Sequence, residues 1–297
     1  MKPLAICLSS LSVLAISMGV AGAASAQSVR IEGAVARVVV IPEARSDVGV
    51  EIIPGRAELP ALKVERRGDR VLIDGGLVQG RGNFRALRVN RCERGSATQR
   101  RPGEGAFVEV RGMGRINLED APLVVLRTPR KVDVDASGGV FGSVGPGAET
   151  LDLASAGCGL WTVGNVEGRA DLAVAGSGGV RIGNTQRLNI SIGGSGDVRA
   201  QQTGSLTASI GGSGDVKVRR VNGAAEIQVG GSGDVHIEGG RIDKLDVAIA
   251  GSGDIRIDAT VADMDAAIAG SGDIRVERVT GRISRSVIGS GRVHIGN

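Results

Sequence analysis

A Gly-Ser-Gly kernel, or a close variant of it, returns through the second half of this chain at a nearly fixed interval. Its central residue is Ser137, Cys158, Ser177, Ser195, Ser213, Ser232, Ser252, Ser271 and Ser290, at spacings of 21, 19, 18, 18, 19, 20, 19 and 19 residues. Five copies read GGSGDVRA from Gly193, GGSGDVKV from Gly211, GGSGDVHI from Gly230, AGSGDIRI from Ala250 and AGSGDIRV from Ala269. Self-similarity at a fixed period of about 20 residues is the signature of stacked repeats, and it constrains the fold before any local reading does.

The residues around each mark alternate. Three positions after it stand Val180, Val198, Val216, Val235, Ile255, Ile274 and Val293; five after it stand Ile182, Ala200, Val218, Ile237, Ile257, Val276 and Ile295. Before the mark come triplets such as Leu188, Ile190, Ile192 and Leu245, Val247, Ile249. Apolar residues at every second position mean strands with one buried face. Each repeat therefore reads as strand, Gly-Ser-Gly corner, strand and a variable return. The predicted fold is all-β: a parallel β-helix or β-solenoid with coils of about 19 residues, stacked ~4.8 Å apart.

The glycines are expected to supply positive φ at a sharp bend, and the serine to bond the neighbouring backbone or its own copies. On this reading the motif is a corner the fold needs once per coil. Cys158 occupies the same slot, with Trp161 in an apolar position.

Behind the corner, Asp197, Asp215, Asp234, Asp254 and Asp273 should stack in a column. Like charges ~5 Å apart disfavour one another by ~1 kcal/mol even in a water-like dielectric. The basic residues Arg199, Lys217, His236, Arg256 and Arg275, two positions on and facing the same way, are expected to offset this. So are backbone N–H groups, which an aspartate in a turn can accept. These two columns are the candidate binding residues. Stacked carboxylates could hold Ca²⁺. The likeness to the calcium-binding nonapeptide G-G-x-G-x-D is superficial, because Asp here follows the third Gly directly and the period is 19. No cofactor is expected otherwise. Carboxylates one or two coils apart would also suit a polysaccharide hydrolase or lyase, but an active site should interrupt its own repeat. His236 and His294 share one outward column and read as solvated. No Ser–His–acid set and no phosphate-binding loop is suggested.

The composition fits a thin core. Glycine accounts for 49 residues, tyrosine is absent and Trp161 is the single tryptophan. Scarce aromatics also argue against nucleic acid, which is bound largely by base stacking. The net charge is +4, and much of the excess lies in Arg81–Arg101, with Arg85, Arg88, Arg91, Arg94 and Arg100 between. This segment reads as a solvated, glycine-rich loop or as a patch for an anionic partner.

Residues 1–26 read as a secretory signal: one lysine, an apolar stretch and Ala24-Ser25-Ala26, with cleavage expected after Ala26. A lipoprotein signal at Cys7 fails, because Ile6 stands where a small residue is needed. No other run approaches membrane-spanning length. The mature chain keeps Cys92 and Cys158, whose pairing export permits without requiring. Residues 27–125 carry strand-like runs (Val29–Ile41, Val48–Ile53, Val71–Ile73) without a period and read as irregular opening coils or a β cap; residues 126–297 form the regular stack. In the last repeat, Arg292 replaces the aspartate and Arg285 falls on an apolar position, so a polar final coil that resists edge pairing is expected.

At the signal peptide, the irregular β start and the repeated G-S-G-D-[VI]-x-[VI], the chain resembles a bacterial family of exported auto-transporter adhesins with a head GIN domain, most specifically from Ser177 to Ser290. The resemblance implies a β-solenoid of the periplasm, outer-membrane surface or exterior, adhesive in function and without catalytic residues. The expected function is that of a non-enzymatic envelope binding or scaffold protein whose partner is a glycan, a lipid headgroup or a surface protein. The alternative is the polysaccharide-active enzyme.

Overall fold

A computed structural model describes residues 27–77, 89–95 and 101–296. Within them the chain is all-β apart from one 3-10 turn, Leu118–Asp120, and the coils stack in parallel as the repeat predicts. The leader with its Ala26 cleavage site lies outside the described residues, as do Arg81, Arg85, Arg88 and Arg100 of the basic segment.

The stack begins before its period becomes visible. Ser28–Glu43 is one long strand lying parallel on Lys131–Val144, with Val29 opposite Val134 and Val40 opposite Val144. Two antiparallel pairs close this end: Lys63–Arg67 against Arg70–Asp74, and Gly49–Ile53 against Leu123–Pro129.

From there each coil rests on its predecessor in register. Val198, Val216, Val235, Ile255 and Ile274 are successive partners, and so are Leu206, Ala225, Leu245 and Met264. All are buried and belong to one continuous core. A fully buried Val, Leu or Ile side chain contributes about 1.5–3 kcal/mol, so the stack is held by many equal increments. Trp161 fits this thin interior because its partner in the coil below is Gly142; a Cβ there would lie 2.3 Å from the indole ring. Thr185 and Thr203, also buried, satisfy each other. Thr185 Oγ1 donates to Thr203 Oγ1 at 3.0 Å, and Thr203 Oγ1 donates to the Ser205 carbonyl at 2.7 Å.

A second apolar cluster lies outside the coil. Val35, Phe141 and Leu160 point outward and are covered by a three-stranded antiparallel sheet, Val89–Glu93, Phe107–Val110 and Gly114–Asn117, which contributes Val108, Val110 and Ile116. This flank sheet is tied to the stack by a Cys92–Cys158 disulfide with Cα atoms 5.7 Å apart. The pairing that the sequence left open is therefore made, and it explains why the corner at Cys158 carries a thiol.

The final coil is only partly polar. Arg285 does fall opposite Ala266, but Ile283, Val287 and Ile288 around it are 46%, 41% and 74% exposed.

Candidate functional site: a ladder along the corner

The Gly-Ser-Gly corner is a hydrogen-bonded ladder. From Ser195 on, the N–H of the corner serine donates to the carbonyl of the preceding coil's glycine: Ser195 to Gly176, Ser213 to Gly194, Ser232 to Gly212 and Ser252 to Gly231, each at 3.0 Å. The expectation of positive φ is overturned for most of these glycines. Among the corner residues of the later coils, only Gly270 (φ 157°) and Gly289 (φ 123°) have φ in that range. Close approach is the reason for glycine instead. A Cβ on Gly196, Gly214, Gly233, Gly253 or Gly272 would lie 2.1–2.3 Å from the carbonyl oxygen of the equivalent glycine one coil below. The corner has no space for a side chain on either side of the serine, and the serine itself points out to solvent. One hydroxyl pair joins across coils, Ser271 Oγ to Ser290 Oγ at 3.2 Å.

The aspartate column is a second ladder. Each Oδ1 accepts the backbone N–H of the residue one coil on. Asp197 receives Asp215 at 3.4 Å, Asp215 receives Asp234 at 3.0 Å, Asp234 receives Asp254 at 2.8 Å, Asp254 receives Asp273 at 2.8 Å, and Asp273 receives Arg292 at 3.0 Å. Hydrogen bonding to the ionised form is one of the two offsets expected against like-charge stacking.

The other offset, the basic column, is present in register: Arg199, Lys217, His236, Arg256 and Arg275 are successive partners. It neutralises the two ends of the acidic column, and Arg275 also reaches back to Asp254 at 3.9 Å. Asp197 meets Arg199 at 3.6 Å, and Asp273 meets Arg275 at 3.0 Å and Arg292 at 3.5 Å. In the middle the basic side chains turn the other way. Lys217 pairs with Glu238 at 2.7 Å, while His236 and Arg256 share Asp258 at 2.8 and 2.9 Å. The hydrogen bond from Arg256, with that of His236, holds the Asp258 carboxyl below its ordinary range. Asp215 and Asp234 are left exposed, with no ion pair among the described residues.

Followed backward, the same outward column changes character. Asp197 lies over Gly179, and Gly179 over Leu160, which the flank sheet covers. At this junction Arg94 fills the space that Gly179 leaves. It reaches Asp197 at 3.3 Å and donates to the Ser177 carbonyl at 2.7 Å. Arg94 and Arg91 are the described central arginines of the basic segment; the first is folded onto the stack, and the second pairs with Glu93 at 2.9 Å.

A further acidic column escaped the reading from sequence. Six residues before the marks stand Asp152, Asp171, Glu226, Asp246 and Asp265, interrupted by Asn189 and Thr207, and all stack in register. Asp133 lies beneath Asp152. Partial burial first, and then the charge of neighbouring aspartates (Asp152 and Asp135 on Asp133, Asp171 and Asp135 on Asp152), raises the pKa of both above the ordinary 3.8. Asn189 ends the first run by donating to Asp171 at 2.6 Å. A count of charges at fixed offsets from the mark would have found this column. Among the described residues, no group of three or more His, Cys, Asp or Glu is arranged to hold a metal ion.

No helix among the described residues is long and apolar enough to cross a membrane. The sequence profile of one family, described as "Putative auto-transporter adhesin, head GIN domain", matches residues 98–239 and 223–297. No curated protein matches the chain.

Proposed function

Since the chain belongs to the auto-transporter adhesin, head GIN domain family, we propose that it is an exported, non-enzymatic binding or scaffold protein of the cell envelope, and that its corner face engages an extended glycan. The observation that carries this reading is the repetition of one outward surface. A serine hydroxyl, a carboxylate and a basic side chain recur at each coil from Ser195 to Arg275 in unbroken register. A polymer with a repeating polyhydroxylated unit can meet such a row in many equivalent ways, so weak contacts sum by multivalency. Catalysis asks for one place where carboxylates differ in environment, and here each Oδ1 in the column makes the same bond.

The test is a glycan array with the mature protein and an Asp215→Asn/Asp234→Asn variant. Asparagine keeps the Oδ1 acceptor of the ladder, so the fold should persist while binding falls. Binding confined to lipid headgroups or to a protein would replace the glycan. Release of shortened polysaccharide, lost in the same variant, would establish the enzyme instead.

A further inference from the structure

The two ends of the stack are finished differently. The N-terminal end is closed by the antiparallel pairs, and its outermost strand, Lys63–Arg67, is exposed along its length and carries three cations and one acid, Glu65, which pairs with Arg67 at 2.6 Å. Lysine and arginine on an edge strand discourage pairing with another chain. At the other end, Ile283–Gly289 pairs on one side only, with the long strand Ile255–Gly270. Its other row of N–H and C=O groups has no partner among the described residues.

This edge is amphipathic. Ile283 continues the buried column that ends in Met264, and Val287 continues the column that ends in Ile268, yet both are more than 40% exposed. Arg285 stands between them, opposite the buried Ala266. Around it the last coil adds Arg278, Arg282 and Arg292 against the single acid Glu277. Arg282 and Arg292 pair backward, with Asp263 and Asp273. Arg278 and Arg285 have no ion pair among the described residues.

We propose that the Ile283–Gly289 edge is a docking site for an extended acidic segment of another protein, added as one further strand. The segment would place apolar side chains over Ile283 and Val287 and a carboxylate over Arg285. Strand addition takes its affinity from main-chain hydrogen bonds and its specificity from alternate side chains. The charge pattern sets the choice of partner. A second copy docking tail to tail would bring two sets of these arginines together, and one docking tail to head would meet Lys63 and Arg66, with Arg67 already paired to Glu65; like charges across an interface discriminate against both. This surface is separate from the corner face and stands or falls independently of it.

The experiment uses the mature chain and three fluorescein-labelled peptides of alternating threonine and valine whose central inward residue is glutamate, lysine or proline, read by fluorescence anisotropy. The glutamate peptide should bind about tenfold more tightly than the lysine peptide, and the proline peptide, which lacks a ladder N–H, should not bind. In Arg285→Glu the preference should reverse, which also shows that the variant is folded. Val287→Lys should weaken both peptides. Equal affinity for glutamate and lysine peptides, or an unchanged preference in Arg285→Glu, overturns the proposal. So does concentration-dependent self-association of the free chain in sedimentation that Val287→Lys abolishes, since that would assign the edge to a second copy.

Discussion

Arg94, directly after the flank strand Val89–Glu93, reaches Asp197, the first member of the aspartate column, at 3.3 Å. The contact lies where an apolar, covered column becomes an acidic, open one. Together with the Cys92–Cys158 disulfide it fixes the flank sheet over Phe141 and Leu160. Replacing both cysteines by serine is expected to lower stability by about 2–4 kcal/mol, given the 66-residue separation they bridge. Loss should show first as proteolysis within the flank sheet, before the stack is cut. Equal protease resistance with and without reductant would mean that packing alone holds the sheet.

The corner glycines should differ sharply in tolerance. A Cβ on Gly233 would lie 2.2 Å from the Gly214 carbonyl oxygen, whereas one on Gly193 meets nothing within 4 Å. Gly233→Ala is expected to cost on the order of 2–4 kcal/mol through displaced backbone, and Gly193→Ala close to nothing. Denaturant titration of the two variants checks the pair; similar midpoints would refute close approach as the reason for glycine.

Within the aspartate ladder, acceptor and charge can be separated. Asp234→Ala removes the oxygen that receives the Asp254 N–H at 2.8 Å and should cost about 1 kcal/mol. Asp234→Asn keeps that oxygen, relieves repulsion and should be neutral or slightly stabilising. Calcium should leave the melting temperature of the parent protein unchanged, because one oxygen of each column carboxylate is already engaged by a backbone N–H. A rise in midpoint with millimolar Ca²⁺ over EDTA would show that the native state binds the ion.

The stacked acids Asp133 and Asp152 have pKa values raised by burial and then by neighbouring aspartates, Asp152 acting on Asp133 and Asp171 on Asp152. Above the ordinary 3.8, the folded state holds protons that the unfolded state has released, so stability falls as pH rises through the folded pKa values. Asp152→Asn removes this effect. It should raise the melting temperature at pH 7 by about 1–3 °C, and the gain should vanish once the pH drops below the ordinary carboxylate value. Asp258, held low by Arg256, has the opposite sign: its contribution is present above the ordinary pKa and is lost as pH falls through the depressed one. A gain in Asp152→Asn that persisted at low pH would point to packing rather than charge.

What the sequence determined by itself was periodic. A strand alternates at two and a coil returns at about 19 residues, so the apolar columns, the corner, the aspartate column and the basic column could be placed by counting alone. Parallel stacking in register is the one arrangement that buries all those alternate positions together. Tertiary structure decided whatever breaks that periodicity. Ser28–Glu43 has no repeat to announce it, and it became the first coil because Lys131–Val144 offered a parallel edge. Cys92 and Arg94 lie far from the stack in sequence, and only the outward apolar patch at Phe141 and Leu160 brought their sheet onto it. The corner glycines were placed correctly but for the wrong reason, since a residue's own φ preference is local while the carbonyl oxygen 2.1–2.3 Å from its absent Cβ belongs to the coil below. The direction in which Lys217, His236 and Arg256 pair was likewise beyond counting: a long side chain at a fixed register can reach acids on either side, and nearby Glu238 and Asp258 decided it.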